Sequence, residues 1–117
     1  MNKQGKIWGD TRSLFANANF ELHRLFARKG GFCSKHRHAS KFNQFYVITG
    51  RLRIETWKHD YDLCDVTDLG PGDMAVCKPG EYHRFTAVED TDALEWYWVE
   101  LRADDIDREN VGGQSDE

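Results

Sequence analysis

Two histidine-bearing segments constrain this chain more than any other feature. The first reads Gly30, five residues, His36-Arg37-His38, four residues, Asn43, six residues and Gly50. The second reads Gly72, seven residues, Gly80, two residues and His83. Imidazoles at positions i and i+2 of a strand project to one face, because side chains alternate across a sheet. A third imidazole from a later strand can meet them inside a barrel. Three nitrogen ligands converging in this way make a metal site, and no other constellation in the sequence carries comparable chemistry.

The rest of the chain reads as short strands punctuated by glycine turns. Residues 20–27, 32–38 and 43–49 are strand candidates, with Gly30-Gly31 separating the first two. Thr49-Gly50-Arg51 forms a tight turn into residues 52–57, where Leu52, Ile54 and Thr56 share a face. Residues 61–69 read as a polar edge strand, and Gly70-Pro71-Gly72-Asp73 as a strong turn. Residues 74–78, 83–88 and 94–101 complete the strands. This spacing of short strands and turns indicates an all-β sandwich or barrel. Residues 103–110 read as a short C-terminal helix with Asp104 as its N-cap. A single domain over 1–110 and a disordered tail over 111–117 are therefore expected.

Acidic residues outnumber basic ones, 20 to 16, giving a net charge of −4. That balance argues against nucleic acid, which needs a basic face. No apolar run approaches the length of a membrane span, and residues 1–10 lack the apolar segment of a signal peptide. Cys33, Cys64 and Cys77 are odd in number and show no CxxC spacing, so a reduced, cytoplasmic chain with cysteines as buried filler is expected.

The two segments resemble the cupin motifs, G-x5-H-x-H-x3/4-E-x6-G and G-x5-P-x-G-x2-H-x3-N, over residues 30–87. The resemblance implies a double-stranded β-helix, a jelly-roll barrel with its ligands facing inward. Three positions depart from it: Asn43 stands at the usual Glu, Lys78 at the proline and Ala87 at the terminal Asn. An amide brings no negative charge to a divalent ion, which shifts preference towards nitrogen-seeking metals. His36, His38 and His83 are the expected ligands of a divalent transition metal. Asn43 is either the fourth ligand or a hydrogen-bonding neighbour of the site. Zn comes first, with Fe, Ni, Cu and Mn as alternatives.

A narrower resemblance spans most of the chain. Lys6-Ile7-Trp8-Gly9 is similar to the "K-P-W-G" opening of the cupin domain of type II mannose-6-phosphate isomerases. Trp98-Val99-Glu100-Leu101 and Asp104-Asp105-Ile106-Asp107-Arg108 resemble its closing "I-E-V-Q … D-D-I-V-R". Ser34, His38 and His83-Arg84-Phe85 match its central pattern, while His36 falls at its Gln, Lys41 at its Arg, Asn43 at its Glu and Gln44 at its His. The resemblance implies a small-molecule ligand such as a sugar phosphate, aldose–ketose isomerisation and a homodimer. These 117 residues hold the cupin-like part alone, and a nucleotidyltransferase domain is not expected within them.

The residues leave the activity open. An Fe-dependent dioxygenase would also suit three histidines, and a non-catalytic ligand-binding cupin would explain the missing carboxylate. Lys35, Arg37, Lys41, Arg84 and Arg108 are the cationic candidates, with Lys41 and Arg108 the first for substrate contact. Parity places Arg84 on the face opposite His83, where it would be solvated or ion-paired. For a general base, only His83 without metal and Glu81 near the mouth come forward. Phe45, Val47 and Phe85 should share the inner face, with Tyr46 pointing outward. The aromatic strand at Trp96-Tyr97-Trp98 should pack one face into the core and offer the other to a second subunit.

Overall fold

A computed structural model describes residues 3–58, 63–100 and 104–115. It contains strands β1 (Lys3–Lys6), β2 (Gly9–Ala16), β3 (Phe20–Ala27), β4 (Phe42–Thr49), β5 (Leu52–Trp57), β6 (Cys64–Leu69), β7 (Met74–Cys77), β8 (Tyr82–Ala87) and β9 (Thr91–Trp98). They form a six-stranded sheet in the order β1-β2-β3-β9-β4-β7 and a three-stranded sheet in the order β6-β5-β8. All strand pairs are antiparallel. The all-β jelly-roll reading holds.

Strand alternation sorts the interior. On β4, Asn43, Phe45 and Val47 are buried, while Gln44, Tyr46 and Ile48 are half-buried on the other face. Opposite them, Thr91, Ala93 and Glu95 of β9 are buried. The interior is apolar at one end and polar at the other. Leu25, Ala27, Val47, Leu52, Ile54, Leu69, Ala87 and Ala93 belong to the buried apolar cluster. Phe45 and Phe85 meet edge to face, with ring centroids 5.9 Å apart, and Trp8 packs on Phe85 at 4.9 Å. These rings floor the polar end, where Asn43, His83 and Glu95 are buried. Cys33 and Cys77 are buried as expected, and burial pushes their thiols up to about 11 and about 12. Cys64 is half-buried at the start of the edge strand β6.

Two expectations fail. Residues 104–110 form no helix. The segment is under two turns, too short to nucleate alone. Its one apolar residue, Ile106, is 60% exposed, so no apolar face exists to dock a helix. Residues 32–38 also form no continuous strand. They meet β8 only at the isolated bridges Phe32↔Thr86 and His36↔His83. The register slips by one residue between those bridges, which breaks the ladder as a β-bulge does. The sequence reading also lacked β1 and β2. Residues 61–62, His59 and residues 101–103 lie outside the described residues.

Gly50 closes the turn between β4 and β5 with φ at +96°, and a Cβ there would sit 2.2 Å from the Asp90 carbonyl oxygen. Gly72 has φ at +85° but open space around it. Gly50→Ala should therefore lower unfolding stability by roughly 2–3 kcal/mol, and Gly72→Ala by about 1 kcal/mol. Urea denaturation checks this, and equal losses would contradict the steric part of the argument.

Candidate metal centre

The slipped register of residues 32–38 aims the first two histidines. His36 N–H donates to the His83 carbonyl at 3.1 Å, and His83 N–H donates to the His36 carbonyl at 2.8 Å. His38 is tied to the turn before β8 by a 2.8 Å hydrogen bond from Gly80 N–H to its carbonyl. Both motifs are thus joined through backbone at the histidines themselves. Ring centroids lie 4.5 Å apart for His36 and His83, 5.1 Å for His36 and His38, and 5.5 Å for His38 and His83. One ligand atom from each ring lies within 4.8 Å of the other two. No carboxylate or thiolate joins that cluster among the described residues.

The hydrogen bonds select the tautomers. His36 Nδ1 sits 2.7 Å from the Ser34 carbonyl, and His83 Nδ1 sits 3.1 Å from the Glu81 carbonyl. A carbonyl only accepts, so Nδ1 carries the proton and Nε2 keeps its lone pair. The Nε2 atoms of His38 and His83 and Oδ1 of Asn43 are buried without a hydrogen-bond partner. Buried acceptors left this way are costly, and a cation satisfies several at once. Burial, reinforced by His36, His83 and Lys41, lowers the His38 pKa to about 4. Burial likewise lowers that of His83, partly opposed by its bond to the Glu81 carbonyl. Both rings stay neutral at pH 7, the state that binds metal. The residues fit a divalent transition metal.

Around the cluster, a cavity of about 490 Å³ is lined by His36, His38, Lys41, Glu95, Tyr97 and His23, among others. Asn43 is fully buried, and its Nδ2 donates to Glu95 Oε2 and to the Trp96 carbonyl, both at 3.3 Å. The Tyr97 hydroxyl donates to the same Glu95 oxygen at 3.1 Å. Glu95 is 8% exposed. Burial raises its pKa, with the bonds from Tyr97 and Asn43 working against that rise.

Glu95, Tyr97 and His23 were absent from the sequence-derived site. Their signal was strand parity. Glu95 pairs with His23 on β3 and with Phe45 on β4, an inner-face residue. The flanking tryptophans drew attention to hydrophobicity instead, yet Trp96 and Trp98 point outward.

The cationic candidates separate. Lys41 lines the cavity, with Nζ 4.8 Å from the Tyr97 ring centroid. Arg84 pairs with Glu55 at 3.0 Å on the outer face, as parity required. Lys35 lies over Trp57 and Arg37 over Tyr82. Arg108 is exposed and does not line the cavity. Glu81 accepts from Lys78 N–H at 2.9 Å, closing its turn, and does not line the cavity either.

Residues 25–100 match the cupin domain family. The chain belongs to the cupin family. This cupin is similar to KdgF from Halomonas sp., with a TM-score of 0.73 at 16% identity over 86% of this chain and 90% of KdgF. It is similar to the cupin domain of Schizosaccharomyces pombe Cnp3, with a TM-score of 0.72 at 12% identity over 86% and 69%. An oxalate decarboxylase variant from Bacillus subtilis gives 0.74 at 18% identity, over 84% of this chain and 27% of the decarboxylase. At these identities the likeness shows the fold. No curated protein sequence matches this cupin. Among the described residues, no helix is long and apolar enough to cross a membrane.

In metal-free protein, NMR titration of His38 should give a midpoint well below the ordinary 6.5 of histidine, near the value of about 4 that burial sets. A midpoint at or above 6.5 would mean a solvated ring.

Proposed function

We propose that this cupin binds a divalent transition metal through His36, His38 and His83 and isomerises a small sugar or sugar phosphate between aldose and ketose. The observation that carries the reading is the cluster of three imidazoles, two of which share one cavity with a buried carboxyl. The Mn(II) centres of Bacillus subtilis oxalate decarboxylase support metal use on this fold. The metal, when bound, would act as a Lewis acid on a carbonyl or hydroxyl oxygen.

The chain's own residues supply the rest. Glu95 is the base in this reading: Asn43 has no carboxylate, Glu81 is outside the cavity, and Glu21, which also lines it, is more exposed and sits 3.3 Å from His23 Nε2. The raised pKa of Glu95 brings its carboxyl nearer to neutrality, the range in which one group both takes and returns a proton. Glu95 takes the proton from the carbon beside the sugar carbonyl and returns it to the former carbonyl carbon, while the adjacent hydroxyl proton passes to the former carbonyl oxygen, so that the enediol between the two transfers collapses to the isomer. Asn43 and Tyr97 hold the carboxyl by hydrogen bonds to Oε2, which fixes its position between the two transfers. Asn43 Oδ1, free of other partners, faces the choice of metal ligand or bound-water acceptor. Lys41 takes the phosphate at the cavity wall. A homodimer in the cytoplasm belongs to the same reading, on the strength of the resemblance.

The test incubates metal-loaded protein with aldose and ketose phosphates in D2O and follows carbon-bound deuterium by NMR. Interconversion with deuterium uptake is expected, and Glu95→Gln should lower it about 10²–10⁴-fold with metal content unchanged. No exchange across the panel, or full activity in Glu95→Gln, would overturn the isomerase. Uptake of O2 in place of exchange would favour the dioxygenase.

A further inference from the structure

The hairpin turn joining β1 to β2 and the turn after β3 line a second cleft, of about 600 Å³. Lys6, Ile7, Trp8, Arg28, Lys29 and Phe32 give it its character. It shares Lys6, Trp8 and Ser34 with the metal cavity, but His36, His38 and Glu95 line the metal cavity alone. Trp8 stands edge-on against Phe85, which fixes it as a wall of both spaces.

Charge singles this cleft out. The chain carries −4 overall, yet three cations line the cleft and no carboxylate does. Among the described residues, Lys6, Arg28 and Lys29 enter no ion pair, whereas Arg24, Arg53, Lys58 and Arg84 each have an acidic partner. Asp90 meets the turn at its backbone, accepting from Lys29 N–H at 2.8 Å, and does not line the cleft. Cations gathered without a counter-charge raise the local concentration of anions.

The apolar lining adds shape to that charge. Ile7 is 99% exposed and Phe32 60% exposed, although both are large and apolar. Arg84 stands over the Phe32 ring at 5.8 Å from its centroid. The rings of Trp8 and Phe32 and the flat guanidinium of Arg28 suit a planar body. Apolar walls with a few charged groups, around a volume of this size, describe a small-molecule site.

The frame is held before any ligand arrives. Arg28 N–H donates to the Trp8 carbonyl at 2.8 Å, and the Arg28 guanidinium donates to the Ile7 carbonyl at 2.6 Å. Gly31 N–H donates to the Arg28 carbonyl at 2.7 Å, and Gly30 N–H to the Ala87 carbonyl at 2.8 Å. A Cβ at Gly31 would lie 2.8 Å from Trp8 Cβ, so glycine lets this turn close against the tryptophan. Backbone fixed in this way lowers the ordering cost of binding.

We propose that this cleft binds a planar organic anion, an aromatic ring carrying a phosphate or carboxylate, at a site separate from the metal centre. The ring packs against Trp8 and Phe32, and the anionic group meets Lys6, Arg28 and Lys29.

NMR titration of the metal-free full chain with phenyl phosphate, and separately with benzoate, tests this independently of metal and activity. Saturable amide shifts centred on residues 6–8 and 28–34 are expected with at least one of the two. Inorganic phosphate and phenol, which each offer half of the recognition, should bind at least about 10-fold more weakly. Lys6→Gln/Lys29→Gln and Phe32→Ser change exposed positions, and each should weaken binding about 10-fold with an unchanged circular dichroism spectrum. Lys41→Gln, which alters the metal cavity alone, should leave binding unchanged. No saturable binding of either probe, full binding by both the lysine and the Phe32 variants, or loss of binding in Lys41→Gln would overturn the proposal.

Discussion

The reciprocal backbone hydrogen bonds between His36 and His83 are the joint on which the site depends. They close at 3.1 and 2.8 Å between segments 47 positions apart in sequence. Because they involve main chain, they fix both Cα positions before any side chain is chosen, and neither ring needs a metal to reach the other. The Gly80 bond to the His38 carbonyl adds the third residue to the same frame. Breaking the regular ladder just upstream, between Phe32 and His36, leaves the histidines on a segment held by β8 and the turn before it.

Placement of this joint at the polar end of the interior gives it chemical value. Phe85 and Trp8 line the cavity, and Phe85 also belongs to the apolar core with Phe45. Above that floor, desolvation favours the neutral form of three groups: it lowers the pKa of His38 and His83 and raises that of Glu95. The result is a set of neutral nitrogen donors next to a carboxyl held back from ionising. A bound cation would reverse the balance, stabilising the carboxylate through its charge. The carboxyl sits one strand away from where the cupin pattern has it, on β9 beside Asn43 rather than at Asn43 itself.

The histidine trio, the β-strand alternation and the family were legible because each rests on local spacing. His36-x-His38 and Gly80-x-x-His83 place side chains without knowledge of distant partners. Parity likewise placed Phe45 and Val47 inside, Tyr46 at the other face and Arg84 outside. Glu95 was not legible in that way. Its strand is more hydrophobic on its outer positions, Trp96 and Trp98, than on its inner ones, so hydrophobicity pointed to the wrong face as the place of interest. Only the pairing of Glu95 with His23 and Phe45, across two other strands, reveals it as interior. The C-terminal helix failed for a different reason: an N-cap and a charged turn describe a helix end, but no apolar stripe was there to hold one.

The central claim is that His36, His38 and His83 hold one metal ion. Elemental analysis of purified protein, after removal of metal and reloading with Zn, Mn or Fe, tests it most directly. One ion per chain is expected in the wild type, falling to a small fraction in His36→Ala and His83→Ala. Absence of stoichiometric metal in the wild type, or full loading in both variants, would contradict it.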